Sequence, residues 1–322
     1  MDYDAIAADL VRVLRGRRSQ TAFSRRLGYR SNVVSRWESR RAWPTAAVAL
    51  RAARRVGVDL RAGLARFYRV EPRWPEHTDP ATAEGVAVLL DDLRGTLPIG
   101  ELARRAGRSR FAVSRWLKGE AEPRLPELLL MVEAASLRLL DFLTVFVDPA
   151  RLPSVAREWE ELQAAREAAY SMPWSYAVLR VLELEDYLAL PRHRSGFIAR
   201  RLGISEEEEE RCLELLARTK QICRVRGRWA PDPSRVADTR GDPERFRSMK
   251  TWWTRVALER IESGHEHTLS CNLFSVSAAD LVRIEEAYRA FLRQMRSIIA
   301  ESSPNQRVVL FSGQLVPFEP KR

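Results

Sequence analysis

The sequence contains one twelve-residue phrase twice. VVSRWESRRAWP spans residues 33–44 and AVSRWLKGEAEP spans 112–123, an offset of 79 without a gap. The match runs beyond the phrase: LRG at 14–16 pairs with LRG at 93–95, SRRLG at 24–28 with ARRAG at 103–107, and Phe67 with Phe146. A duplicated unit of roughly 65 residues explains this, and two copies are too few for a solenoid, which needs about three. The chain is therefore expected to fold one small domain twice.

Each copy reads as short helices. In the first, Leu10, Val13 and Leu14 form an apolar stripe, and Phe23 and Leu27 lie one turn apart behind Ser19, an N-cap candidate. Gly28 supplies the left-handed residue a sharp turn needs. Val34 and Trp37 then face inward on a third helix, and Trp37 and Trp116 read as core residues. Beyond Pro44, apolar residues from Val48 to Leu64 predict one or two more helices. A small residue, a glycine four positions on and an apolar residue six further describe a helix-turn-helix. Two helices cross steeply, so their contact must be small, at Ser24 and Ala103. The outer face of the third helix is left to enter a major groove. In copy one that face and its flanks carry Arg30, Ser31, Asn32, Ser35, Arg36, Ser39 and Arg40. Arginine reads guanine edges bidentately, and asparagine reads adenine. In copy two the candidates are Ser109, Arg110, Arg115 and Lys118, with Phe111 and Ser114 between them.

The stretch SQTAFSRRLGYRSNVVSRWESRRAWP resembles the helix-turn-helix of Xre or phage-repressor type. That pattern has a glutamine opening the second helix, a small residue, a glycine, a Ser-x-Trp-Glu stretch and a proline. Here these are Gln20, Ser24, Gly28, residues 35–38 and Pro44. The resemblance implies that Gln20 holds a phosphate and braces the recognition helix; Thr21 beside it is a further DNA-binding candidate. Copy two departs from the pattern, with Ile99 in place of Gln20 and Leu117 in place of Glu38.

Charge supports a polyanionic partner for copy one. The formal net charge of +11 is concentrated: residues 1–70 hold 16 arginines and 5 acids, residues 71–150 hold 10 bases and 13 acids, and residues 151–322 hold 28 and 25. The first seventy residues thus account for the whole excess, the pattern of a basic nucleic-acid-binding module.

Residues 174–230 read differently. Three helical segments precede ICRVRGRWA, which alternates around the turn candidate Arg226-Gly227, a winged-helix pattern. Its third helix opens with Glu206 to Glu210, which phosphates would repel, so no third DNA-reading helix is expected; the acidic run reads as a solvated face suited to a helix N-terminus. The tail predicts strands at HTLSCNLFSVS and QRVVLFSGQLVPF. Between them lies a long helix with Leu281, Ile284, Tyr288, Phe291, Met295 and Ile298 on one face and Ser277 to Asp280 at its start. Residues from about 154 onward resemble a bacterial family of uncharacterised function whose members carry a winged-helix-like segment and a tail ending like SGQLVPF; the resemblance implies a regulator.

Other chemistries find little support. Four histidines, His77, His193, His265 and His267, sit in no nucleophile motif, and no phosphate-cradling glycine loop occurs. His265, His267 and Cys271 lack the number and spacing of a zinc set. Three irregularly spaced cysteines fit a reducing compartment. The start has no basic n-region, and the most apolar stretch, LPELLLMVEAASLRLLDFLTVFVD, is broken by Glu133, Arg138 and Asp141. Trp252 and Trp253 lie on a helix expected over 246–262, one facing core and the other lining a ligand pocket or a dimer interface, of which the interface is favoured. The expectation is a cytoplasmic, mainly α protein, with helix-turn-helix domains at 1–70 and 86–150 joined by a linker at 71–85. A winged-helix-like domain at 154–232, a linker at 233–245 and a small α+β domain at 246–322 complete it. Its expected partner is double-stranded DNA, bound as a homodimer under some protein or small-molecule effector. No membrane, cofactor, metal or catalytic role is expected. The alternative is a protein-interaction adaptor or antitoxin-like scaffold.

Overall fold

The computed structural model describes residues 1–68, 78–95, 97–232, 242–264 and 268–318. It is mainly helical, and among the described residues the only sheet is one two-stranded hairpin. The chain divides into two compact units, Met1–Glu161 and Leu162–Arg322.

The first unit holds both copies. Copy one is α1 (Tyr3–Arg15), α2 (Gln20–Arg26), α3 (Val33–Glu38), α4 (Ala46–Arg55) and α5 (Leu60–Tyr68). Copy two is α6 (Ala83–Arg94), α7 (Ile99–Arg105), α8 (Arg110–Leu117), α9 (Leu125–Ser136) and α10 (Leu139–Leu143). Local signals set the boundaries. Asp2, Ser19, Asn32 and Thr45 each accept a backbone N–H and cap the first four helices. Gly28 and Gly107 take positive φ at the equivalent turns.

The copies are not beads on a string. Thr45 and Arg124, 79 residues apart, form an antiparallel bridge. The Ala46 amide donates to the Pro123 carbonyl at 2.8 Å, and the Leu125 amide donates to Pro44 at 3.0 Å. Exchanging the copies turns each bond into the other, so an approximate two-fold axis passes through this bridge. The packing follows the same exchange: α1 lies on α9 as α6 lies on α4, and α5 meets α10. Near the axis Phe67 meets Phe142 edge-on at 5.5 Å, and Phe142 meets Phe146 at 5.4 Å. Gly63, which occupies the position of Phe142 in copy one, must stay bare, because a Cβ there would come to 2.9 Å from Val145 Cγ1. Ile6, Leu10, Leu50, Leu89, Leu125 and Leu128 are fully buried, each contributing about 1.5–3 kcal/mol. Helix α9 is apolar on nearly every side because α1, α4, α6 and α7 all cover it.

The second unit contains α11 (Ala156–Ser171), which begins in the first, then α12 (Trp174–Val181), α13 (Glu185–Leu188), α14 (Phe197–Leu202) and α15 (Glu206–Arg218). The hairpin of β1 (Ile222–Val225) and β2 (Arg228–Pro231) follows, with Ile222 opposite Pro231 and Val225 opposite Arg228. Arg226 and Gly227 both have positive φ at its turn, as a tight two-residue hairpin requires. Helices α16 (Pro243–Glu262) and α17 (Ala278–Glu301) follow. Ser277 caps α17 as expected. Trp252 and Trp253 are both half-buried and pack edge-on against Trp174.

Two expectations are corrected here. The described parts of the two tail segments, 268–277 and 303–318, are not strands. The second makes no ladder. Its groups are held by helices instead: Asn305 accepts from the Glu185 amide at 2.8 Å, Tyr288 Oη donates to the Gly313 carbonyl at 3.0 Å, and Gln314 donates to Thr254 at 3.2 Å. The acidic run is also not simply a solvated face. Glu209 is 2% exposed, and its carboxylate accepts the Ala199 amide at 2.7 Å, capping α14, whose own N-cap residue Gly196 has no side chain to do so. Among the described residues, no helix is long and apolar enough to cross a membrane.

Candidate nucleic-acid interface

In copy one, Ser24 is the contact between α2 and α3. It is fully buried; its hydroxyl donates to the Gln20 carbonyl at 2.9 Å and accepts the Val34 amide at 3.2 Å. The expectation of a small residue is met, and the hydroxyl adds a cross-link that Ala103 cannot make. Val34 and Trp37 are buried, and Trp37 meets Tyr29 edge-on at 5.7 Å. Helix α3 is braced at its far end. Glu38, also buried, takes Arg15 Nε at 2.6 Å and Gln20 Nε2 at 2.7 Å, while its carbonyl takes Arg12 at 2.8 Å. Gln20 thus ties α2 to α3.

The opposite side of α3 is open. Thr21, Arg30, Ser31, Asn32, Arg36 and Arg40 are exposed, and Ser35 is half-buried. Asn32 is first a cap: its carboxamide oxygen accepts the Ser35 amide at 3.3 Å, an acceptor that a bidentate adenine contact would have to share. Arg40 lies past the helix at φ 61° and pairs with Asp2 at 3.1 Å, an exposed pair that solvent screens. Sequence reasoning missed Arg17, Arg25 and Arg41. Together with Arg30 and Arg36 they are exposed, and among the described residues none of the five has a carboxylate partner. Their signal was present in the sequence: residues 17–41 hold eight arginines against one glutamate.

Copy two keeps the frame with less free charge. Ser109 caps α8 through the Ala112 amide at 3.2 Å, so it too is structural first. Val113 and Trp116 are buried. Arg104 and Arg105 both bind Glu101, whose carboxyl they hold down to about 2. Arg115 is half-buried, donates to the Glu120 carbonyl at 3.3 Å and lies 5.6 Å from the Phe111 ring centre. Lys118 is 3.9 Å from Glu120. Arg110 is exposed and, among the described residues, unpaired. Phe111, where copy one has Asn32, is 72% exposed.

No metal-ligating cluster occurs among the described residues; His77, His265 and His267 lie outside them. Cys212 is buried, with its thiol pushed up to about 12 by desolvation, far from a nucleophile's range.

A family model described as a domain of unknown function, DUF4423, matches residues 153–318, just over half of the chain. No curated protein and no solved structure matches the sequence.

Proposed function

The chain belongs to the DUF4423 family, whose description assigns no activity, and on that premise we propose from the first unit that it is a sequence-specific DNA-binding transcriptional regulator of the cytoplasm. The observation that carries the reading is the outward side of α3. It is exposed, set by a buried Ser24, Trp37 and Glu38 frame, and surrounded by five arginines without carboxylate partners among the described residues. Acids there would repel phosphates; the one acid on the helix, Glu38, is turned inward and neutralised by Arg15. Unit two would then supply regulation.

Arg36 is the residue assigned to base reading, on the outward side of the helix one position before the inward Trp37. Arg36→Ala is expected to weaken binding by about 1–3 kcal/mol and to relax preference at one base position. Fluorescence titrations against the selected duplex and single-base variants measure both quantities; unchanged affinity and selectivity would remove Arg36 from the site. A second reading, a protein-binding adaptor, draws on the exposed Phe291, Ile298 and Ile299 of α17 and on Val309, Val316 and Phe318 of the tail. Failure of the full chain to shift any duplex at low salt would favour it.

A further inference from the structure

We propose that one chain reads two unlike half-sites arranged as an inverted repeat, its two copies acting as a covalent pseudo-dimer. The inference rests on the DNA-binding reading above and deepens it. A tandem duplication in sequence suggests two modules placed head to tail, which would read direct repeats. The bridge between Thr45 and Arg124, with its reciprocal bonds from Ala46 to Pro123 and from Leu125 to Pro44, says otherwise. A two-fold relation exchanges α3 with α8 by rotation about the axis rather than by translation along the chain, and recognition helices so related match the local two-fold symmetry of duplex DNA.

The reach is compatible. Seven residue steps separate Glu38 from Thr45, and seven separate Leu117 from Arg124. At about 3.3–3.6 Å per residue each helix end lies within about 25 Å of the axis, a limit shortened by the positive-φ turns at Arg40 and Gly119. The separation of about 34 Å that adjacent major grooves demand places each helix about 17 Å from the axis, inside that limit.

The half-sites must differ because the reading faces differ. Arg30, Ser31, Asn32, Ser35 and Arg36 in copy one become Ser109, Arg110, Phe111, Ser114 and Arg115 in copy two. An exposed phenylalanine cannot read adenine as asparagine does, but it can contact a thymine methyl. Copy one, with more free arginines, supplies most of the attraction to phosphate.

Selection of full-length chain on random duplexes, followed by titration and sedimentation, tests this. The expected product has two different half-sites, inverted, with centres about 10 base pairs apart, and it binds one chain per pair. Reversing one half-site at fixed spacing is expected to weaken binding about 100-fold, as several mismatched pairs do together. Phe111→Ala should relax selectivity in the weaker half-site alone. Selection of direct repeats, indifference to reversal, or two chains per pair would overturn the inference while leaving DNA binding intact. Absence of binding to every duplex at low salt would remove both.

Discussion

Glu38 is a carboxylate on a helix assigned to face a polyanion, and its surroundings show how the fold resolves that conflict. It is buried rather than exposed, and Arg15 and Gln20 both donate to it. Removing it would leave a guanidinium and an amide without their partner inside the protein. Glu38→Ala is therefore expected to cost about 1–3 kcal/mol of stability in urea denaturation. A change below about 0.5 kcal/mol, the size of an ordinary surface substitution, would show that the network contributes nothing. The same contact shows what the sequence could reveal. The pattern shared with repressors marked Gln20 and Glu38 as a set, and the resemblance implied that Gln20 braces the helix. It did not reveal that Glu38 is what Gln20 braces against, nor the part of Arg15, which is 23 residues away and brought in only by packing of α1 on α3. Asn32 and Ser109 were legible as polar and outward. Their use as caps was not, because a cap depends on where the helix starts.

At the level of elements, α13, α14, α15 and β1 converge on one half-buried histidine. His193 Nδ1 lies 3.2 Å from Tyr187 Oη, its Nε2 lies 3.7 Å from Glu209, and Arg224 is close enough to act on its charge. Burial first, and Arg224 second, hold the imidazole below its ordinary value of 6.5. The folded state therefore keeps His193 neutral where the unfolded chain would protonate it. That contribution is fully present above pH 6.5 and is lost as the pH falls towards the depressed folded value. Glu209 acts in the opposite sense. Burial raises it above 4.5, so its contribution is present at low pH and lost as the pH rises through the raised value. His193→Gln separates the two. The variant should lose less stability than the parent chain between about pH 7.5 and about pH 5.5, as measured by denaturation midpoints. Equal losses would mean that His193 does not titrate differently on folding. The hairpin in this region was legible because Arg226-Gly227 is a local signal. The tail was not: its alternating apolar residues look like a strand, yet the chain there bonds to Glu185, Thr254 and Tyr288, contacts that no local pattern encodes.

For the whole molecule, the repeat made the mainly α class legible but not the pairing of the copies, since an offset of 79 is the same whether the copies are related by translation or by a two-fold axis. The consequence reaches stability. Helix α1 packs more extensively on α9 of the other copy than on α4 of its own, and Ile6, Ala7 and Leu10 are sealed from water in the assembled unit. A chain ending at residue 70 would lose α9 and expose that face, along with the sides of Ala46 and Leu50 that the second copy helps to cover. Exposing even three or four such side chains forfeits about 5–10 kcal/mol of burial, comparable to the net stability of a small domain. The fragment 1–70 is therefore expected to show no cooperative melt and to bind a hydrophobic dye. The fragment 1–161, which keeps the bridge and both copies, should melt in one transition by calorimetry. A sharp, native-like transition in the shorter fragment would show that each copy is self-sufficient, and the two-fold contact would then be an accessory of the fold rather than its foundation.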